Sequence, residues 1–321
     1  MKKIVVVALD GVLDSTLALT LDTLRTAHVF AEKVTRTGGL RLVVMSRRRT
    51  IRTAGGMRLD AGLTFREQGN RPLRADWIVV PGLGLTSPKK IAPRLAESDA
   101  RAAMELLRRS RAAVGASCSS VFLLAESGLL AGRTVTSTWW LAQAFRARYP
   151  GVMLDEMKML VRDGRFLTAG SAFAQLDLVL AIVTETLGAA VADLCSRHLL
   201  IDHRPSQARY MIQSHVRHVD PTVVAAERWI DAHLAEPVAV TELAAAMALS
   251  PKTLARRIAA ATGVPPLRLV QRRRLLHATH LLETTPLTVE EVAARVGYQD
   301  GTALRRIMKR ELGTTPASLR R

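Results

Sequence analysis

The chain holds two cysteines in 321 residues, Cys118 and Cys195, and its aromatic content is only 4%. Two thiols exclude a disulfide framework and a thiolate-rich metal site, and such sparing use fits a reducing compartment. No apolar run reaches the roughly 18 to 20 residues of a membrane span, so no membrane partner is expected. Met1-Lys2-Lys3 followed by Ile4–Leu9 imitates a secretion leader, but Asp10 ends the apolar run and no small-residue cleavage site follows closely. The segment reads as a first buried strand, and the expected location is cytoplasmic. Acidic side chains are also scarce, 28 against 46 Lys and Arg, a formal net charge of +18. That balance favours a polyanionic partner such as nucleic acid. It does not locate the contact. Residues 221–321 hold 15 basic and 9 acidic side chains and the first 220 hold the other 31 and 19, a similar density. An Arg-rich composition with no specific purpose is the plain alternative. What the chain has in quantity is apolar residues, 48%, enough for two domains with substantial cores.

The first 200 residues alternate short apolar runs with helical stretches. Ile4–Leu9, Arg41–Met45, Trp77–Val80 and Ala112–Gly115 read as strands, continuously apolar as strands buried on both faces are. Thr20–Val34, Asp99–Ser110, Val121–Ser127 and Ala174–Leu187 read as helices, with another from Ala190. This alternation predicts an α/β domain over 1–201, an open and mostly parallel sheet with helices on both faces. Residues 202–221 are polar and carry prolines near both ends, as a linker does. From 222 to 321 no strand pattern remains, and six helices are expected: Thr222–Ala235, Thr241–Met247, Pro251–Ala261, Pro266–Leu282, Val289–Val296 and Gly301–Glu311. Ser250 before Pro251, Thr288 with Glu291, and Asp300 supply N-terminal caps.

This all-α domain repeats itself. Leu243-Ala244 matches Val292-Ala293 at a spacing of 49. Leu254, Arg256-Arg257-Ile258, Gly263 and Pro266 match Leu304, Arg306-Ile307-Met308, Gly313 and Pro316 at a spacing of 50. One extra residue near Gln299 accounts for the step. Two copies of helix, short turn, helix, Gly, Pro are thus joined by a long helix, a double helix-turn-helix outline. The second helix of the first copy offers Lys252, Thr253, Arg256 and Arg257, with Leu254 and Ile258 turned to the core. The second copy offers Thr302, Arg305, Arg306, Lys309 and Arg310. Arginine forks match guanine edges, and Lys or Thr matches phosphates. Two such helices on one rigid connector can enter successive major grooves about 34 Å apart. A solvated amphipathic helix explains one such face as well; it explains a matched pair poorly.

The run Thr288-Val-Glu-Glu-Val-Ala-Ala-Arg-Val-Gly-Tyr-Gln-Asp300, continuing through Lys309-Arg310-Glu-Leu-Gly-Thr-Thr-Pro316, resembles AraC-type transcriptional regulators over about 100 residues. The resemblance implies promoter DNA and RNA polymerase as partners. It places Lys252, Ala255 and Arg256 at base-reading positions of the first helix, and Thr302, Arg305 and Arg306 at those of the second. Ile258, Leu304 and Met308 stand where the family usually has Phe, tolerable apolar exchanges in a core. Gly301 replaces a common Pro or Ser, a weaker helix start.

In the first domain, Ala112-Ala-Val-Gly-Ala-Ser-Cys118-Ser-Ser-Val-Phe is a strand running through small residues into a helix, with Cys118 at the corner. That is a nucleophile-elbow layout, and a helix N-terminus is expected to lower the thiol pKa. A small cysteine buried under the helix fits the same residues equally well. Asp76-Trp-Ile-Val-Val-Pro-Gly82, the Cys118 turn, Gly128-Leu-Leu-Ala-Gly-Arg133 and Thr168-Ala-Gly-Ser resemble a class I glutamine amidotransferase-like domain of the PfpI type, over roughly residues 3–210. Gln207-Ala-Arg-Tyr210 resembles the close of that domain in AraC-type regulators. Enzymes of the family pair the cysteine with a histidine and an acidic residue. The resemblance puts that histidine at Thr138, before Trp139, and the acidic residue at Asp14; Ser120 replaces a usual glycine. Threonine is no general base near neutral pH.

The expectation is therefore a DNA-binding regulator, not an enzyme. Its first domain binds a small effector, by resemblance an amino acid, amine or related nitrogen compound, at Asp14, Gly82, Leu83, Cys118, Ser119, Thr138 and Trp139. A homodimer through that domain is expected. The rivals are a cysteine hydrolase or aldehyde-acting enzyme using Cys118, and a redox sensor using the same thiol as a sulfenate. No metal is expected, since His198 with His203 and His215 with His218 lack further ligands. No cofactor is expected either, because Gly82-Leu-Gly84 lacks the rest of a dinucleotide fingerprint and reads as pocket backbone. Asp177 reads as a paired structural carboxylate, and Trp139-Trp140 as core.

Overall fold

The computed structural model describes residues 1–35, 38–202, 204, 206–211 and 220–319. Half of the expected linker lies outside them, as do His203, His215 and His218. The chain divides into two compact units, one of Met1–Phe145 with Tyr149–Arg204 and one of Arg146–Arg148 with Pro205–Arg321.

The strands are β1 Lys2–Val7, β2 Leu40–Ser46, β3 Thr50–Arg52, β4 Arg58–Asp60, β5 Leu63–Thr64, β6 Trp77–Val80, β7 Ala113–Ser117, β8 Thr134–Val135, β9 Met153–Leu154, β10 Leu160–Asp163 and β11 Phe166–Ala169. The helices of this unit are α1 Asp14–Phe30, α2 Phe65–Gln68, α3 Ile91–Leu95, α4 Ser98–Arg109, α5 Ser120–Glu126, α6 Ala142–Arg148, α7 Ala174–Leu187 and α8 Ala189–His198. Seven strands form one sheet in the order β10-β11-β7-β6-β1-β2-β5. Only the β10–β11 pair in it is antiparallel.

The unbroken apolar run of β1 has a direct cause. Val5, Val7 and Leu9 enter the core under α4 and α5, with Met104, Leu107, Val121 and Leu124. Ile4, Val6 and Ala8 enter the opposite core under α1, α7 and α8, with Leu21, Leu178, Ile182 and Val191. Alternate residues thus face two dry layers, as a central parallel strand requires. Gly115 in β7 brings α7 close, since a Cβ there would stand 3.1 Å from Ile182 Cδ1.

Two expectations are corrected. Helix α1 starts at Asp14, six residues before the predicted Thr20. The threonines that argue against helix are satisfied within it: Thr20 Oγ1 donates to the Thr16 carbonyl (2.6 Å), and Thr16 Oγ1 to that of Leu13 (3.0 Å). The sheet also extends past the predicted strands through β5, β10 and β11, which are short and carry no apolar run.

The second unit contains α9 Pro221–Ala232, α10 Val240–Ala246, α11 Pro251–Thr262, α12 Pro266–Thr284, α13 Val289–Arg295, α14 Gly301–Leu312 and α15 Pro316–Leu319. Its first core joins Val223 and Ile230 of α9, Leu243 and Ala244 of α10, Leu254 and Ile258 of α11, and Leu269 of α12. In the second half Val292, Ala293, Leu304, Ile307 and Met308 are buried, with α13 and α14 packed together and α13 on α12. All three exchanges of the expected Phe, at Ile258, Leu304 and Met308, are fully buried. Helix α12, 19 residues and about 28 Å long, is pinned to α9 by Arg273, whose Nε donates to Asp231 Oδ1 (2.8 Å) and whose Nη2 bonds Oδ2. His277 approaches the same carboxylate at 3.2 Å. Burial opposes the Asp231 charge, but hydrogen bonds from His277 and Arg273 outweigh it and hold the carboxyl below its ordinary value.

Candidate functional site

The C-terminal ends of parallel strands beside a change of winding direction are where open α/β sheets place ligands. Here β1 is that point, with β2 on one side and β6 on the other. The Gly11–Leu13 segment leaves β1, Gly82–Gly84 leaves β6, and Cys118 leaves β7. These segments are bound to one another. Leu13 N donates to Gly82 O (2.9 Å), Gly84 N to Gly11 O (2.9 Å), and Thr16 Oγ1 to Gly82 O (3.1 Å).

Cys118 has φ +53°, a left-handed conformation unusual for a residue with a side chain, as an elbow demands. Its amide donates to Gly170 O (2.6 Å) and Ala169 O (3.1 Å), so the loop after β11 holds the corner. Ser120 Oγ, at the family's glycine position, sits 2.7 Å from both Val80 O and Ser117 O. Ser119 Oγ donates to Leu83 O (2.6 Å), and Ser137 Oγ to Cys118 O (2.8 Å). Gly82 lies against the thiol-bearing carbon, where a Cβ would stand 3.0 Å from that of Cys118. Leu83 and Trp139 are buried, and Trp139 meets Trp140 edge-on at 5.3 Å.

The Thr138 hydroxyl is fully buried and finds no hydrogen-bond acceptor of its own. What it faces is the Cys118 thiol, whose ionised form it favours. The Ser117 hydroxyl is also buried without a partner. Among the described residues, then, Ser117 leaves one hydroxyl without a partner beside the cysteine, and the Thr138 hydroxyl has only the thiol.

Three expectations about this site are corrected. The thiol is not activated: burial pushes its pKa from 9.0 to about 11, and the Ser119 and Thr138 groups offset only part of that. Helix α5, of seven residues, does not overcome the loss of solvent. Asp14 does not face the thiol through its carboxylate. Its oxygens accept from Thr53 Oγ1 (2.5 Å) and Gly55 N (2.7 Å), and the Thr53 hydrogen bond foremost holds it below the usual carboxylate range. Gly84 does not present its amide to a pocket, because Gly11 takes it. Among the described residues no histidine or carboxylate acts on the thiol, and no group of three or more His, Cys, Asp or Glu is placed to hold a metal. Asp177 pairs with Arg204 at 2.6 Å.

Sequence reasoning missed Thr16, Ser117 and Ser137. The run Thr136-Ser137-Thr138 was the available signal: three polar residues in succession, all fully buried.

The second site is the outer face of α11 and α14. Ser250 caps α11 by accepting from Thr253 N (3.2 Å), and Asp300 caps α14 by accepting from Ala303 N (2.7 Å). The turns are built alike. Ala248 and Gly297 are both left-handed, and Leu249 N and Tyr298 N close them on Ala244 O (3.0 Å) and Ala293 O (2.9 Å). Lys252, Arg256, Thr302, Arg306 and Lys309 are exposed. Thr253 is half-buried, and its hydroxyl bonds Ser250 (2.9 Å). Arg257 donates to Thr222 Oγ1 (2.6 Å), and Arg305 pairs with Glu290 (3.0 Å). These two are engaged within the protein, whereas Arg256 and Arg306 present open guanidinium forks. A Cβ at Gly301 would stand 2.4 Å from Glu290 Oε1, the end of an exposed side chain that can swing aside, so the carboxylate does not itself require a glycine there.

An elbow cysteine on a seven-stranded sheet, followed by paired helix-turn-helix motifs, defines a two-part chain, an α/β unit and a DNA-binding architecture. Residues 2–185 match the DJ-1/PfpI family, and residues 243–321 match a helix-turn-helix domain. The chain belongs to the DJ-1/PfpI family and carries an AraC-type helix-turn-helix domain behind it. It is 28% identical over 211 residues to the HTH-type transcriptional regulator GlxA of Rhizobium meliloti, covering 65% of each chain. It is 25% identical over 233 residues to the HTH-type transcriptional regulator ArgR of Pseudomonas aeruginosa, covering 72% of this chain and 69% of that one. Among solved structures it shares its fold with a ThiJ/PfpI family protein from Pseudomonas syringae, at 18% identity and a TM-score of 0.51, covering 64% of this chain and 76% of that one. Drosophila melanogaster DJ-1beta matches at 18% identity and a TM-score of 0.50, covering 63% and 99%.

Proposed function

We propose that the chain is a sequence-specific transcription regulator whose N-terminal domain responds to a small metabolite and whose C-terminal domain binds promoter DNA. The observation that carries this is the doubled helix-turn-helix, with equivalent turns, equivalent caps and open arginines on both second helices. Relatives named as HTH-type transcriptional regulators match this chain over 211 and 233 residues. Two buried hydroxyls beside Cys118, Ser117 without a partner among the described residues and Thr138 with only the thiol, support a polar ligand there. By family likeness the ligand is an amino acid, amine or related nitrogen compound. Occupancy shifts the arrangement of domains or of a homodimer, and so DNA affinity or contact with RNA polymerase. The site is read as one that binds and does not turn over: the thiol is neutral at physiological pH, and Thr138 stands where a catalytic histidine would be. A cytoplasmic location accords with that role.

The test is fluorescence-anisotropy binding to the DNA upstream of the protein's own gene, against a scrambled duplex, at two salt concentrations. A preference of about 10³-fold or more is expected, changing when the cognate metabolite is added. Equal, steeply salt-dependent binding to both duplexes would count against sequence-specific regulation.

A further inference from the structure

We infer that the first unit has a second anion site of its own, a phosphate-binding groove for duplex DNA at the end of the sheet opposite Cys118. The groove, about 1240 Å³ in volume, lies at the N-terminal ends of β1, β6 and β7, bounded by Lys3, Arg71, Arg74, Asp76, Arg109 and Arg111. It shares no residue with the effector site, so it takes a different ligand.

Three observations fix the chemistry. Several arginines elsewhere in this unit are drawn into ion pairs, as Arg94 is with Asp99, Arg133 with Asp163 and Arg162 with Glu185, while others such as Arg41, Arg58 and Arg101 stand singly on the surface. What sets Arg71, Arg74 and Arg111 apart is that they are exposed around one groove and, among the described residues, have no such partner. The one carboxylate in the wall does not neutralise them. Asp76 accepts from the Lys3 amide (2.8 Å) and from Lys2 Nζ (3.0 Å), both on β1. Uncompensated guanidinium forks converging on an open groove match the oxygens of phosphate better than any neutral ligand.

The occupant follows from what the groove lacks. Among the described residues no aromatic ring lines it, so they offer no platform for stacking bases. It is open rather than enclosed, unlike a pocket for a free nucleotide. Its chemistry suits a run of backbone phosphates, held without regard to sequence. Duplex DNA is the polyanion that the proposed function already brings to the chain, and this inference rests on that function. The groove also gives a use to the basic excess of the first 220 residues, 31 against 19, which the recognition helices do not explain.

The experiment measures binding of the full chain to a random-sequence duplex of about 40 base pairs between about 50 and 200 mM salt. Three phosphate contacts contribute about 2.7 to the logarithmic salt slope. The triple variant Arg71→Ala, Arg74→Ala, Arg111→Ala is therefore expected to flatten the slope by that amount, which makes it roughly 40-fold less sensitive over this range. The corresponding triple Lys variant keeps the charge and should keep the slope. A wild-type slope in the alanine variant overturns the groove while leaving DNA binding by the second unit intact. Loss of the slope in the lysine variant overturns it too, since the arginines would then act through structure. If poly-glutamate binds the wild type and not the alanine variant while the DNA slope stays unchanged, the groove belongs to an acidic polypeptide. Failure of the wild type to bind any duplex at low salt overturns the DNA reading itself, and this one with it.

Discussion

Gly82 and Cys118 pack so closely that a methyl group on Gly82 would sit 3.0 Å from Cβ of Cys118, with Thr16 Cγ2 at 3.3 Å and Ser117 Oγ at 3.5 Å. None of these atoms is free to retreat. Cys118 is held by two carbonyls, and the Thr16 hydroxyl bonds the Gly82 carbonyl. Gly82→Ala is expected to destabilise the chain by about 1–3 kcal/mol, as overpacking does, and to displace the elbow. Urea unfolding measures the first effect and effector binding the second. Unchanged stability with unchanged binding would show that the corner is looser than its geometry.

The raised thiol pKa values make a pH prediction of definite sign. Folding moves Cys118 from 9.0 to about 11, and burial does the same for Cys195. Between those values the unfolded chain has lost protons that the folded chain keeps. Stability is therefore complete below about pH 9 and declines as the pH rises toward about 11. For Cys118 the loss is on the order of 2–3 kcal/mol, and Cys195, equally buried, adds a loss in the same direction. Cys118→Ser should flatten the decline relative to wild type in urea unfolding at several alkaline pH values. Alkylation of the native thiol should be slow at neutral pH, where the thiolate fraction is on the order of 10⁻⁴. Rapid alkylation at pH 7 would revive the enzyme reading.

The sheet was legible where strands are buried on both faces, because such strands leave runs like Ile4–Leu9 and Trp77–Val80. It was illegible at β10, where Leu160-Val-Arg-Asp163 is half-exposed at the sheet edge, and at β11, whose four residues are buried but too few, and interrupted by Thr168, to leave an apolar run. The second unit was legible apart from the four-residue α15, since its caps and periodicity are local. The site was read by its corner and missed in its walls. Cys118, Gly82 and Leu83 stand out by spacing, but Ser117, Ser137 and Thr16 act through backbone carbonyls brought near by the fold. The reversed thiol shift has the same origin: a helix N-terminus can be read from sequence, and the depth of burial cannot.

The two turns offer a paired test of the repeat. Ala248 has φ +53° and Gly297 φ +76° at equivalent positions. A side chain is strained there, so Ala248→Gly should be neutral or stabilise slightly, by up to about 1 kcal/mol. Gly297→Ala meets more than strain. Its Cβ would stand 2.2 Å from Leu234 O and 2.6 Å from Arg274 Nη2, and Arg274 is itself bonded to Gly297 O (2.9 Å). A loss of several kcal/mol is expected from the forced backbone shift. Thermal unfolding of both variants settles the point: losses of similar size would mean that the turns are not equivalent.

The recognition helices separate their arginines by prior engagement. Arg256 and Arg306 are open, while Arg257 and Arg305 are bonded to Thr222 and Glu290. An arginine that must first leave a carboxylate loses part of its binding energy, so Arg305 should contribute less than Arg306. Arg256→Ala and Arg306→Ala should each cost about 1–3 kcal/mol on the specific site and relax base preference at one position. Glu290→Ala frees Arg305 and should strengthen binding to any duplex, with a steeper salt dependence, because a released guanidinium adds a cation without adding a base contact. If Arg256→Ala and Arg306→Ala weaken random and specific duplexes equally, both touch phosphates. Sequence would then be read by Lys252 and Thr302, the other open polar residues near the starts of the two helices.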